Sequence, residues 1–424
     1  MRDQHRLLQR PTRLALGLAT IAFAVGVTFV SCKDQESSRR PIVIGHQADL
    51  SGAIASWGYW LERAAQSAVS EINAKGGIDG RPIEYVVEDT QTNAAMGVRR
   101  LRKLILEHHA DFVIGSVHSG VMMASLPIAK ELKTPYFPVG MASEATAEEG
   151  NRYVYRISSH VREQIAAGAD WALKNIAKRW TIVVSDYAWG WSHEKWFSDA
   201  VKGKGGTVLS AIRVPTGTKD FFPYLAKIPK DTEALYFIFF GADSIGFLQQ
   251  LHESGYGGKK YTVVCTLEAI DIASLGEAAE GTWLLEYLPR DLTQYDTQPH
   301  RSFRDAVGID AAGRGVQARD RVAACSHCWA TYELVYLIKK TVEESGWKGK
   351  EDTPKFVEKL ESFRLLQASR EFPQGDNALR REDHQGFHTH WMSRVIGGKL
   401  VVQFEVPKEA TIYPSTVDFT KEAF

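Results

Sequence analysis

Apolar residues along this chain keep switching between the two-residue period of a strand and the three-to-four-residue period of a helix. After Pro41, the β-branched run Ile42, Val43 and Ile44 leads into a polar loop around Ser51 and Gly52. A helical face follows, marked by Leu61, Ala64, Ala65, Ala68, Val69 and Ile72. Gly76 and Gly77 stop that helix, and Gly80 turns the chain into a second apolar run over 83–87. Strand, loop, helix and strand make a βαβ unit. In open α/β sheets, ligands sit at the loop that leaves such a strand.

The same alternation repeats downstream. The spacing predicts a helix over 94–107, a buried strand over 111–115, a helix over 121–132, and extended chain over 134–138 and 153–157. From Glu163 it restarts: helix to Ala177, strand 180–185, helix 191–202, strand 207–214, a short helix over 221–227, strand 234–240 and helix 244–255. Strand 261–265, an extended run over 281–287 and a long helix over 322–344 close the pattern. Two blocks of alternation imply two parallel-sheet lobes, each covered by helices on both faces.

The first forty residues have another character. Arg2, Arg6, Arg10 and Arg13 precede a charge-free, mostly apolar run over 14–30, followed by Ser31 and Cys32. This is the pattern of an export signal (1–31) ahead of a polar tether (32–40), with an uncleaved anchor as the rival reading. Phe29-Val30-Ser31-Cys32 resembles the lipobox of bacterial lipoproteins, in which the cysteine carries the lipid, although Phe29 stands where leucine is usual. Lipid attachment, ordinary cleavage and retention all put the body outside the cytoplasm, in the periplasm or its equivalent.

Composition narrows the function. Lys plus Arg and Asp plus Glu are both 51, and the zero balance argues against a nucleic-acid partner. The 44% hydrophobic and 24% charged content is that of a folded chain. Trp, Tyr and Phe at 11, 15 and 19 suit a site that sandwiches a small molecule, or simply large cores. Beyond Cys32 the cysteines are Cys265, Cys325 and Cys328, an odd number that builds no disulfide framework. Cys325-Ser326-His327-Cys328 has redox or zinc spacing without a second ligand pair, which favours buried or locally bridged thiols. His384, His388 and His390 likewise lack the acid-and-histidine set of a metal site. No metal and no cofactor are expected.

Several segments resemble the Leu/Ile/Val-binding family of ABC-transporter substrate-binding proteins, of the type I periplasmic-binding fold. They are Ala55-Ser56-Trp57-Gly58, the INAKGGIDG string over 72–80, and IGSVHSG over 114–120. SDYAWG over 185–190, KDFFPYL over 219–225 and Ala279-Glu280-Gly281 follow in the same order. The resemblance implies two doubly wound parallel-sheet lobes joined by a three-crossover hinge, with crossovers near Ser158, Leu288 and Gly386. Lobe 1 would then comprise 41–157 plus 288–385, and lobe 2 158–287 plus 386–424.

It also implies a site. Ser119 and Gly120 start the helix after a buried strand, where backbone N–H groups and a hydroxyl suit a carboxylate, although Ser119 can serve simply as an N-cap. Ala142 and Ser143 would donate to the same ligand, with Met141 possible if the match shifts by one. Trp57 would line the cleft or pack on its own lobe. Tyr187, Trp189 and Phe240 would wall it from the second lobe. Glu268 would meet a ligand ammonium or be a solvated loop acid, and Tyr332 would add an aromatic or be a core tyrosine. The implied function is capture of an amino acid, aromatic acid or short amide by a monomer that delivers it to ABC permease subunits, without catalysis. An exported enzyme and a receptor-coupled sensor are the alternatives. Against the enzyme, the chain has no GxSxG elbow, no P-loop and no strand-led GxGxxG, and 241–246 has the wrong spacing.

Overall fold

A computed structural model describes residues 40–291 and 293–424. Cys32 and the export signal lie outside the described residues. Among the described residues, no helix is long and apolar enough to cross a membrane.

The first half runs β1 (Ile42–Ala48), α1 (Ala55–Ala74), β2 (Ile83–Asp89), α2 (Ala94–Leu106), β3 (Phe112–Gly115), α3 (Ser119–Glu131) and β4 (Tyr136–Phe137). Its four strands are parallel in the order β2-β1-β3-β4. All seven residues of the central β1 are buried. Its polar Gln47 is satisfied inside, donating to Gly97 O at 2.8 Å and Ser125 Oγ at 2.9 Å while accepting from the Tyr136 hydroxyl at 2.6 Å.

The second half runs α4 (Val161–Asn175), β5 (Arg179–Ser185), α5 (Ala188–Gly203), β6 (Thr207–Val214), the single-turn α6 (Phe222–Leu225), β7 (Ala234–Ile238), α7 (Gly241–Glu253), β8 (Lys259–Val263), the single-turn α8 (Val264–Leu267) and β9 (Trp283–Glu286). The chain then returns to the first half through α9 (Gln298–Val307), α10 (Cys325–Ser345) and α11 (Thr353–Leu360), with α10 packed along α1. Strands β10 (Leu365–Leu366), β11 (Asn377–Arg380) and β12 (Gln385–Phe387) form a small antiparallel sheet. Finally β13 (His390–Ile396) and β14 (Lys399–Val406) cross to the second sheet, whose order is β14-β13-β9-β8-β7-β5-β6.

This is the two-lobed α/β architecture expected, with differences. The strand expected over 261–265 ends at Val263, because the chain coils there into α8. Helix α4 begins at Val161 and α10 at Cys325, and α9 carried no expectation. The second sheet is not wholly parallel, since β13 pairs antiparallel with β9 and β14.

The strands that pass between the halves run side by side. Arg156 N donates to His384 O at 3.0 Å and Gly386 N to Arg156 O at 2.8 Å. The buried Arg156 guanidinium bonds Gln385 Oε1 (2.8 Å), Gly140 O (2.9 Å), Ala142 O (2.7 Å) and Thr146 Oγ1 (2.6 Å). Burial lowers its pKa to about 10, which still leaves it charged at neutral pH. One side chain thus ties a crossing strand to the loop after β4.

Two glycines set the helices that face the cleft. A Cβ on Gly58 would stand 2.0 Å from Asp49 O, and one on Gly190 would stand 1.9 Å from Ser185 O. Each lets the first turn of a helix rest on the end of its own strand. The residue before each glycine, Trp57 and Trp189, is thereby presented at the sheet edge.

Candidate functional site

The C-terminal strand ends of the two sheets face one another across a cavity, and the side chains around it come mostly from first turns of helices. Ile54 and Trp57 belong to the start of α1, Ser119 to α3, Tyr187 and Trp189 to α5, Phe240 to α7, Cys265 to α8 and His327 to α10. Val117 and Met141 complete it from the loops after β3 and β4. The space open to the centre of a water-sized sphere is about 30 Å³. That admits about two or three waters. Helix first turns carry unsatisfied N–H groups and the positive ends of helix dipoles, so the enclosure favours an anionic group.

The polar end is organised by Ser119. Its Oγ accepts from Met141 N and Ala142 N, both at 3.2 Å. With its lone pairs so occupied, its proton is available to an acceptor in the cavity. The Ser119 and Gly120 amides are the first two of α3, which the helical ladder leaves unpartnered. The preceding loop is held by Asp49, whose carboxylate accepts from Ser116 Oγ (2.6 Å), Val117 N (2.9 Å) and His118 N (3.2 Å). His118 caps α3 through Nδ1, which accepts from Val121 N at 3.2 Å, and its ring stacks on Tyr187 at 4.9 Å and 7°. Burial lowers the His118 pKa against the opposing pull of Asp49, so the imidazole is neutral at pH 7.

Rings make the walls. Phe240 meets Tyr187 at 5.9 Å, Trp189 at 6.2 Å and Trp57 at 6.3 Å between centroids. Burial raises the Tyr187 phenol well above its ordinary value, so this wall carries no charge.

Beside the cavity lies a compact polar cluster. His327 Nδ1 is 3.1 Å from Glu268 Oε2, and Cys265 Sγ is 3.6 Å from His327 Nε2. Glu268 also accepts from Ser326 N at 2.8 Å, from the Ser326 hydroxyl, and from Trp57 Nε1 at 3.4 Å. Burial alone would raise its pKa, but His327 and the Ser326 bonds outweigh it and hold the carboxyl below its usual range. Burial first, and Glu268 second, push the Cys265 thiol well up.

Of the residues anticipated from sequence, Trp57, Ser119, Tyr187, Trp189 and Phe240 border this cavity together. The others do not. Gly120 stands one residue inside α3, and Ala142 turns its N–H to Ser119. Ser143 Oγ accepts from Arg162 N at 2.8 Å and so satisfies an orphan amide of α4. Glu268 is neither solvated nor turned to the cavity; its oxygens are spent on protein donors. Tyr332 stands apart, its ring edge-on to Phe303 at 5.2 Å and its hydroxyl 3.4 Å from Glu71 Oε2.

Ile54, Val117, Cys265 and His327 were missed. Their signal was position at strand ends and helix starts, which only chain folding makes adjacent. The histidines of the tail are engaged by protein: His384 with Val154 O and Glu361, His388 with Asn377, and His390 with Ser159.

A family model described as periplasmic binding protein matches residues 41–399. Leu/Ile/Val-binding protein homolog 3 of Brucella melitensis biotype 1 is 26% identical over 337 residues, spanning 78% of this chain and 84% of its own length. A solute-binding protein of an ABC transporter from R. palustris, solved in complex with benzoate, superposes with a TM-score of 0.74 at 21% identity, covering 89% of this chain and 98% of that one. LivJ from Streptococcus pneumoniae, a branched-chain amino acid transporter substrate-binding protein solved with isoleucine, gives 0.70 at 20% identity, covering 87% and 99%.

Proposed function

The chain belongs to the periplasmic binding protein family, an extracytoplasmic family, and from that premise we propose that it captures one compact aromatic carboxylate between its lobes. The observation that carries this reading is the pairing of Ser119 with the ring cage: a hydroxyl whose acceptor sites are filled, beside helix-start amides, faces Trp57, Tyr187, Trp189 and Phe240. A carboxylate is neutralised at the first and a flat apolar body is buried by the second.

Glu268 argues for an aromatic acid over an amino acid. Its oxygens are engaged by Ser326, His327 and Trp57, so no acid is left to pair a buried ammonium, and an unpaired buried charge is costly. Both benzoate and isoleucine, held by the two structural neighbours, are small carboxylates.

Closure of the two lobes on the ligand requires only that the ligand favour the closed state. We infer lobes of 41–157 plus 288–385 and 158–287 plus 386–424, acting as a monomer that hands its ligand to ABC permease subunits. Export on a signal over 1–31 and lipid attachment at Cys32 belong to the same proposal. Labelled palmitate that enters the chain equally in Cys32→Ser would remove the lipid anchor.

Calorimetry with benzoate, leucine and benzamide tests the ligand. Saturation by benzoate at one per chain, with weaker heats from leucine and benzamide and no product formed, is expected. Preference for leucine overturns the ligand class, and steady conversion of any of the three overturns the binding role.

A further inference from the structure

At about 30 Å³ for water-sized sphere centres, the cavity between the lobes has less room than the ring of one aromatic acid needs. Capture of such an acid, the reading on which this inference rests, therefore requires a lining side chain to give way.

Most of the lining is held in place. Trp57, Tyr187 and Trp189 each meet Phe240 with centroids between 5.9 and 6.3 Å apart, so no ring turns without losing a contact. Trp57 Nε1 and His327 Nδ1 lie 3.4 and 3.1 Å from Glu268 Oε2. Ile54 and Val117 are β-branched and stiff about χ1.

Met141 differs. Among the described residues that line the cavity, it is the one long, unbranched side chain, with three rotatable bonds and a polarizable thioether. Its backbone is pinned on both sides, the N–H donating to Ser119 Oγ at 3.2 Å and the carbonyl accepting from Val161 N at 3.0 Å. At the tip, Sδ accepts from the Cys265 thiol with the sulfurs 2.8 Å apart, and thiols are weak donors to weak thioether acceptors. That contact crosses the cleft, because Met141 follows β4 of the first half and Cys265 belongs to α8 of the second.

We infer that Met141 is the movable wall of the site: its side chain swings from Cys265 to lie against the ligand's ring, and its bulk limits the site to single-ring aromatic acids. Before the halves close, Cys265 is out of reach and the thioether is free to turn. On closure it takes the ligand's ring as its partner, a contact that sulfur makes favourably. The Met141 amide stays on Ser119 throughout, so the carboxylate end is not disturbed by the swing.

Calorimetry of the full-length wild type, Met141→Ala and Met141→Leu with benzoate and naphthoate is the test. The wild type should take benzoate and reject naphthoate. Met141→Ala should raise the ratio of naphthoate to benzoate affinity by about ten- to a hundredfold. Met141→Leu conserves volume and should keep the wild-type ratio. A ratio unchanged in Met141→Ala, the result if the halves merely close less far, overturns the role of Met141 and leaves benzoate capture standing. So does wild-type acceptance of naphthoate on a par with benzoate. No heat from benzoate in the wild type removes the capture reading and this role together. If Met141→Ala unfolds, NMR of the methyl-labelled methionines in the wild-type chain decides, the Met141 signal being identified by its loss in Met141→Leu. A larger shift of that signal with benzoate than with cyclohexanecarboxylate supports contact with the ring, and equal shifts overturn it.

Discussion

Trp57 meets Phe240 edge-on, with ring centroids 6.3 Å apart and planes at 90°. The indole comes from the first helix of one half, the phenyl ring from the strand end before α7 of the other. This contact spans the cleft, so it counts only when the halves are closed. An edge-to-face pair adds about 0.5–1.5 kcal/mol beyond the area it buries. Trp57→Ala should therefore lower benzoate affinity by roughly tenfold or more, since wall area is lost as well. Small-angle scattering should show the ligand-bound variant more expanded than the wild type. Unchanged affinity and shape would mean that this pair neither closes nor lines the site.

Ser119 and Ser143, both expected at the ligand, should now separate. Ser119→Ala removes a hydroxyl aimed at a carboxylate, and hydrogen bonds to charged groups contribute about 1.5–3 kcal/mol. Benzoate affinity should fall roughly ten- to a hundredfold. Ser143→Ala removes the acceptor for Arg162 N at the start of α4 and should cost about 1 kcal/mol of stability, with little loss of affinity. Calorimetry paired with thermal melts reads both, and the opposite pattern would return Ser143 to the site.

Glu268→Gln tests the ammonium question directly. The carboxylate supports Ser326 and His327 rather than a ligand, so the change should lower the melting temperature. The ratio of leucine to benzoate affinity should stay level. A loss confined to leucine would show that the acid does meet an ammonium.

Acidification should destabilise the chain through His46, which is buried on β1 with Nδ1 2.6 Å from the Tyr85 hydroxyl. Burial lowers its pKa to about 3. Below the ordinary value of about 6.5 the unfolded chain takes up a proton that the folded chain refuses, so stability falls as pH drops from there toward 3. At pH 5 this single histidine costs about 2 kcal/mol. Urea midpoints at pH 7 and pH 5 should differ accordingly, and the difference should shrink in His46→Asn. Equal slopes in both chains would assign the acid sensitivity to other groups.

Much of this was legible before any coordinates. The switch between two- and four-residue spacing located most strands and helices, because burial of one face imposes that period locally. Trp57-Gly58 and Trp189-Gly190 stood out as strings, and they stand at the cavity because a missing Cβ lets each helix start sit on its strand end. The strands of the tail were not legible from its own pattern, and the assignment of 386–424 to lobe 2 rested on the family resemblance alone. Strands β13 and β14 join a sheet whose other members lie more than a hundred residues earlier, and no local pattern records a partner that distant.

For this protein, then, sequence determined the two blocks of strand and helix alternation, which follow from nearest-neighbour periodicity and turn chemistry, while the aromatic residues at the cavity were singled out through the family resemblance. Tertiary structure alone decided which polar atoms are still available. Glu268 and Ser143 read as ligand groups until folding brings Ser326, His327 and Arg162 within hydrogen-bond reach, while Cys265, His327 and Met141 meet only because the starts of α8 and α10 and the loop after β4 converge. A side chain's type is local, but what it bonds depends on partners far away in the chain.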